Sequence, residues 1–149
     1  MNTWTKRRMW YLSGGMTKFG KDEFHESNNW RREVKSMIED ITDRNILCFN
    51  PNDHYNCADD PSSFTDREAM DLDIYKLRQS ELVIYCNNDP FSRGSMIELG
   101  IAYQMDIPII VLNNTKQELH PWVRDMARKV FESTLDMFMY LKEHYMCMD

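Results

Sequence analysis

The chain has 149 residues, 42% of them hydrophobic and 28% charged, with a formal net charge of −6 at pH 7. That length suits one domain able to bury roughly two-thirds of its unfolded surface, and the composition excludes a disordered or fibrous chain. The acidic balance argues against a protein that grips nucleic acid by its phosphates. No apolar run approaches the ~18 residues of a membrane span, so no membrane contact is expected.

Elements alternate along the chain. Met9 to Ser13 is a short apolar run halted by Gly14-Gly15, which predicts a buried strand. Apolar residues Trp30, Val34, Met37, Ile38 and Ile41 repeat at three and four, predicting a helix over 27–43. Ile46 to Phe49 predicts a second strand, stopped at Asn50-Pro51. A long polar loop over 51–63 follows, and Thr65-x-x-Glu68 then reads as a capping box opening a helix to about Gln79. Leu82 to Cys86 predicts a third strand and 87–94 a loop. Ser95 reads as the cap of a helix running to about Met105. Ile109 to Leu112 predicts a fourth strand, Pro121 the first turn of a helix to about Arg128, and Val130-Phe131 a short fifth strand. Ser133 or Thr134 caps the final amphipathic helix.

Near-continuous apolar strands separated by helices imply α/β architecture, a parallel sheet covered on both faces. Ligands of such sheets bind outside the strand C-termini. The loops after strands one and three both open there. The chain's five glycines cluster near them: Gly14, Gly15 and Gly20 in one short stretch, and Gly94 and Gly100 in another. Gly14 and Gly15 allow a ligand close to the backbone. Gly94 would let the loop turn into the following helix, and Gly100 would let that helix pack closely on the sheet.

The first loop, Ser13-Gly14-Gly15-Met16-Thr17, fits neither a dinucleotide nor a Walker pattern. An ordinary strand-to-helix turn would look the same. The second, Ser92-Arg93-Gly94-Ser95, can present N–H groups at a helix start, a ready anion site. Glu98 follows one turn on, although Ser95-x-x-Glu98 is itself a capping box. Asp71 and Asp73 lie about 200° apart on their helix, so only one can face a site. His120 before Pro121 is a cap, an interface residue or a phosphate contact. Cys48, Cys57, Cys86 and Cys147 show no metal-ligand spacing and read as thiols of a reducing compartment, so no metal or cofactor is expected. The start of the chain, Met1 to Arg8, lacks a secretory pattern, which points to the cytoplasm.

Three pieces in order carry a resemblance: Tyr11-Leu12-Ser13-Gly14-Gly15-Met16; Asp73 followed by Leu77-x-x-Ser80-Glu81-Leu82-Val83-Ile84; and Ser92-x-Gly94-x-x-x-Glu98-Leu99-Gly100-x-Ala102. Over Met9 to Leu112 the chain resembles the nucleoside 2-deoxyribosyltransferase family, whose superfamily includes deoxynucleoside 5′-monophosphate N-hydrolases. The resemblance implies a flavodoxin-like, Rossmann-like three-layer sandwich with five parallel strands. It implies a small-molecule nucleoside or nucleotide substrate, and a homodimer or larger homo-oligomer with shared sites. By the same resemblance Glu98 is the nucleophile, Tyr11 orients it and Asp73 serves the base. Ser13, Gly14, Gly15, Met16, Ser92, Arg93, Gly94 and, from a neighbouring subunit, His120 would bind substrate. Transferases acting on free nucleosides usually carry Asp where this chain has Ser92, whereas the monophosphate hydrolases carry Ser. Ser92 with Arg93 therefore tilts the expectation towards a nucleotide. Lys18 and Lys21 offer little of the basic character those hydrolases have in the first loop. A binding or sensor protein without turnover, and a purely structural protein, are the readings from other classes.

Overall fold

A computed structural model describes residues 7–15, 28–53 and 65–146. Five strands form one sheet: β1 (Arg8–Gly14), β2 (Ile46–Phe49), β3 (Leu82–Cys86), β4 (Ile109–Leu112) and β5 (Lys129–Phe131). Among the described residues five α-helices alternate with them: α1 (Asn29–Ile41), α2 (Asp66–Gln79), α3 (Arg93–Gln104), α4 (Pro121–Met126) and α5 (Thr134–His144). All neighbouring strands are parallel, in the order β2-β1-β3-β4-β5. This is the flavodoxin-like order of a doubly wound sheet, with its switch point between β1 and β3.

Alternation along each strand builds two cores. Trp10 and Leu12 of β1 and Ile84 of β3 point to one face, where they meet Trp30, Val34 and Ile38 of α1 and Met137 and Leu141 of α5. Tyr11, Val83 and Tyr85 point to the other, against Leu77 of α2, Leu99 and Ala102 of α3 and Val123 of α4. Both faces are covered, so β3 and β4 are buried along their whole length. That is why their sequences are continuous apolar runs.

The helix starts follow local chemistry. Thr65 and Glu68 form the expected reciprocal capping box on α2. Ser133, not Thr134, caps α5. His120 caps α4, with Pro121 in the first turn. Among the described residues the left-handed positions are filled by Asp43, Arg44, Asp106 and Lys116, not by glycine. The long polar loop begins as a short 3-10 turn at Pro51–Asp53, and the rest of it, 54–64, lies outside the described residues. Among the described residues no helix is long and apolar enough to cross a membrane.

Candidate active site

The end of β1 lies beside the end of β3, Gly14 opposite Cys86. Past the strands the two loops stay joined: Gly15 N donates to Asn88 Oδ1 at 2.9 Å, and Asn88 Nδ2 donates to Gly15 O at 3.3 Å. A Cβ on Gly15 would come within 2.6 Å of Asp89 Cβ, so only glycine fits there. A Cβ on Gly14 would meet Trp30 at 3.0 Å and Arg31 Nη2 at 3.3 Å. Both glycines are therefore close-approach residues, but what approaches them is the protein itself. The 87–92 loop is held from its other side as well. Asn87 accepts from Tyr85 Oη at 2.9 Å and donates to Asn113 Oδ1 at 3.1 Å. Asp89 folds the turn by accepting from Phe91 N at 3.1 Å.

This loop delivers α3. The helix starts one turn earlier than the sequence pattern predicts: Ser92 is the cap, accepting from Ser95 N at 3.4 Å. Ser95 is buried inside the first turn, its hydroxyl 2.9 Å from that of Ser92. The predicted Ser95–Glu98 capping box is thus corrected. With the cap at Ser92, Glu98 falls in the second turn and has no capping duty.

Glu98 instead faces the end of β1. Its Oε2 is buried, with no partner of conventional hydrogen-bond geometry among the described residues. Burial pushes its carboxyl up to about 7. The hydroxyls of Tyr11 and Ser13 and the charge on Arg31 oppose that rise, and the nearby charge of Asp73 adds to it. Tyr11 is fully buried and stacks on Phe49 at 5.4 Å between ring centroids, so its ring is fixed by the core. Asp73 is half-buried on α2, whereas Asp71 is exposed and paired with Arg67 at 3.1 Å. The structure thus brings together Tyr11, Ser13, Asp73 and Glu98 from three elements.

Other predicted residues are placed differently. Arg93 and Gly94 are exposed at the start of α3. Gly94 and Gly100 have open space around them and no left-handed φ, so the expectation that Gly94 enables the turn and Gly100 a close helix–sheet approach is corrected. His120 is exposed, its Nδ1 accepting from Trp122 N at 3.1 Å, and among the described residues no interaction ties it to Glu98. Cys48 and Cys86 are buried free thiols. Met16, Lys18, Gly20, Lys21, Cys57 and Cys147 lie outside the described residues.

Arg31 is the neighbour that sequence reasoning missed. It is buried on α1, 1% exposed, and donates from Nη2 to Gly14 O at 2.8 Å. Its guanidinium lies 4.9 Å from the Trp30 ring centre. Burial pulls it down to about 10, against the raising influence of Glu98, Cys86, Tyr11 and Asp73, so it stays charged at neutral pH.

No family model matches the sequence, and no curated protein matches it. Solved structures do share its fold. A conserved protein from Enterococcus faecalis V583 superposes with a TM-score of 0.73 at 15% identity, covering 93% of this chain and 99% of that one. A 2-deoxyribosyltransferase from Bacillus psychrosaccharolyticus gives 0.70 at 16% identity, covering 87% and 90%. A CMP N-glycosidase from Clostridium botulinum gives 0.57 at 16% identity, covering 92% and 99%.

Proposed function

We propose that the chain cleaves or transfers the N-glycosidic bond of 2′-deoxyribonucleosides or their 5′-monophosphates, in the manner of the nucleoside 2-deoxyribosyltransferases. The observation that carries this reading is the buried Glu98 carboxyl at the switch point, with Tyr11, Ser13 and Asp73 against it. Breaking the bond between sugar C1′ and a base nitrogen builds positive charge on the sugar, which a carboxylate beneath C1′ stabilises. Glu98 attacks C1′, the C1′–N bond breaks, and its electron pair leaves with the base. Asp73 delivers the proton that the departing base takes up. Tyr11, held by Phe49, keeps the Glu98 carboxylate in line. Water attacking the glycosyl-enzyme makes a hydrolase; a second base makes a transferase.

Two observations favour a monophosphate. Ser92 presents a hydroxyl where a phosphate would otherwise meet a carboxylate, and its role as helix cap puts it beside the first-turn N–H groups of α3. A homo-oligomer with shared sites, in which His120 of a second copy reaches the phosphate, completes the reading.

The test is chromatographic. Deoxycytidine, deoxyadenosine and their monophosphates are incubated with the protein, with and without an acceptor base. Base release is expected, Glu98→Ala is expected to abolish it while the fold survives, and Asp73→Asn to slow it by about 10²–10⁴-fold. Full activity in Glu98→Ala would sink the assignment.

A further inference from the structure

Arg31 is an expensive residue to keep. Its guanidinium is 1% exposed, yet among the described residues only Nη2 has a partner, the carbonyl of Gly14. Nε and Nη1 are buried without any. A buried charge with unmet donors costs a fold free energy that an apolar side chain would not. Packing therefore gives no reason for a guanidinium here. The surroundings give another. Gly14 O is the last carbonyl of β1, one residue past Ser13 and three past Tyr11, the two hydroxyls set against Glu98. Gly14 lacks the Cβ that would crowd Nη2, and stacking on Trp30 holds the guanidinium in place.

We propose that Arg31 is a positioning residue for the Glu98 site: it clamps the end of β1 through Gly14 O and serves as the buried counter-ion of the Glu98–Asp73 carboxylate pair. Among the described residues, the charged and titratable groups involved come from both helix layers and from the sheet. Tyr11 of β1, Asp73 of α2 and Arg31 of α1 act on Glu98, and Cys86 of β3 acts on Arg31. Among these Arg31 is the one cation, and it opposes both the burial and the Asp73 repulsion that drive Glu98 towards its neutral, unreactive form. It forms no ion pair with Glu98, so the carboxylate stays available to an electrophile. The counter-ion role follows from the charges themselves, whereas its catalytic consequence rests on the glycosidic reading above.

The experiment compares wild type, Arg31→Met and Arg31→Lys as full chains. Three readouts are taken: the Glu98 titration midpoint by carbon-13 NMR of labelled glutamate, assigned with Glu98→Gln; the acid limb of kcat/KM for base release; and Tm. Arg31→Met is expected to remain folded, with its Tm compared at a pH where Glu98 is neutral. Its Glu98 midpoint and acid limb should both rise by about one pH unit, a roughly tenfold loss of ionised carboxylate on the acid side. Arg31→Lys should return both towards wild type, because a charge, not a shape, is restored. An unmoved Glu98 midpoint in Arg31→Met overturns the proposal. So does collapse of the fold in both variants, which would make Arg31 a residue of the core. If the wild type releases no base from any substrate, the glycosidic reading falls, but the NMR midpoints still decide whether Arg31 is the counter-ion.

Discussion

Burial raises the carboxyl of Glu98 to about 7, and this sets two expectations with opposite signs for function and stability. In the proposed mechanism only the ionised form attacks C1′, so kcat/KM is expected to climb with pH through an acid limb near 7. An acid limb near the ordinary glutamate value of about 4.3 would mean that the carboxyl is well solvated. Stability runs the other way. In the unfolded chain Glu98 titrates near about 4.3, so between there and the folded value the native state holds the proton more tightly. The contribution is fully present below that window and is lost as pH rises through it. Glu98→Gln keeps the shape and removes the buried charge. At about pH 8 it is expected to release no base yet melt higher by about 3 °C or more, the shift that ~1 kcal/mol produces in a chain of this size. An unchanged or lower Tm would show that the ionised carboxylate is well satisfied in its pocket.

At the level of elements, α3 carries both the proposed substrate residue and the proposed nucleophile on one helix. Ser92 caps it and Glu98 sits in its second turn. Ser92→Asp therefore isolates a substrate effect, since Asp caps helices as well as Ser and the melting curve should barely move. A carboxylate there repels phosphate, so the preference for monophosphate over nucleoside is expected to fall by about tenfold or more in kcat/KM. No change in that ratio would place the 5′ group elsewhere. The same helix shows where the sequence could and could not be read. Strands and helices were legible because apolar spacing alone decides them: β2, β3 and β4 fall on the residues expected. The start of α3 was not, because two serines three apart offer alternative caps, and only the turn folded by Asp89 selects the first. Glu98, Tyr11 and Asp73 are legible only through order and resemblance, and periodicity separates Asp73 from Asp71 without choosing between them. Arg31 carried no signal, because an arginine in the first turn of an amphipathic helix ordinarily reaches water. Asn88 and Asp89 were hidden in a polar loop whose spacing says nothing about a glycine across the sheet edge.

Across the whole molecule, the proposed site draws on β1, α1, α2, β3 and α3, so a bound nucleotide would tie together both helix layers of the sandwich. A ligand that binds only the folded chain stabilises it by about 2.7 kcal/mol at a hundred times its dissociation constant, which raises Tm by about 5–10 °C in a chain of this size. Time then separates the three classes of function that the fold allows. An N-glycosidase consumes its ligand: with deoxynucleoside monophosphate the wild-type shift should decay as base accumulates, while Glu98→Ala shows a lasting shift. A sensor without turnover would show a lasting shift in both proteins and no free base. A structural protein would show none in either, with any of the four nucleosides and nucleotides. The proposed function stands only on the first pattern, a transient shift in the wild type made permanent by removing one carboxylate.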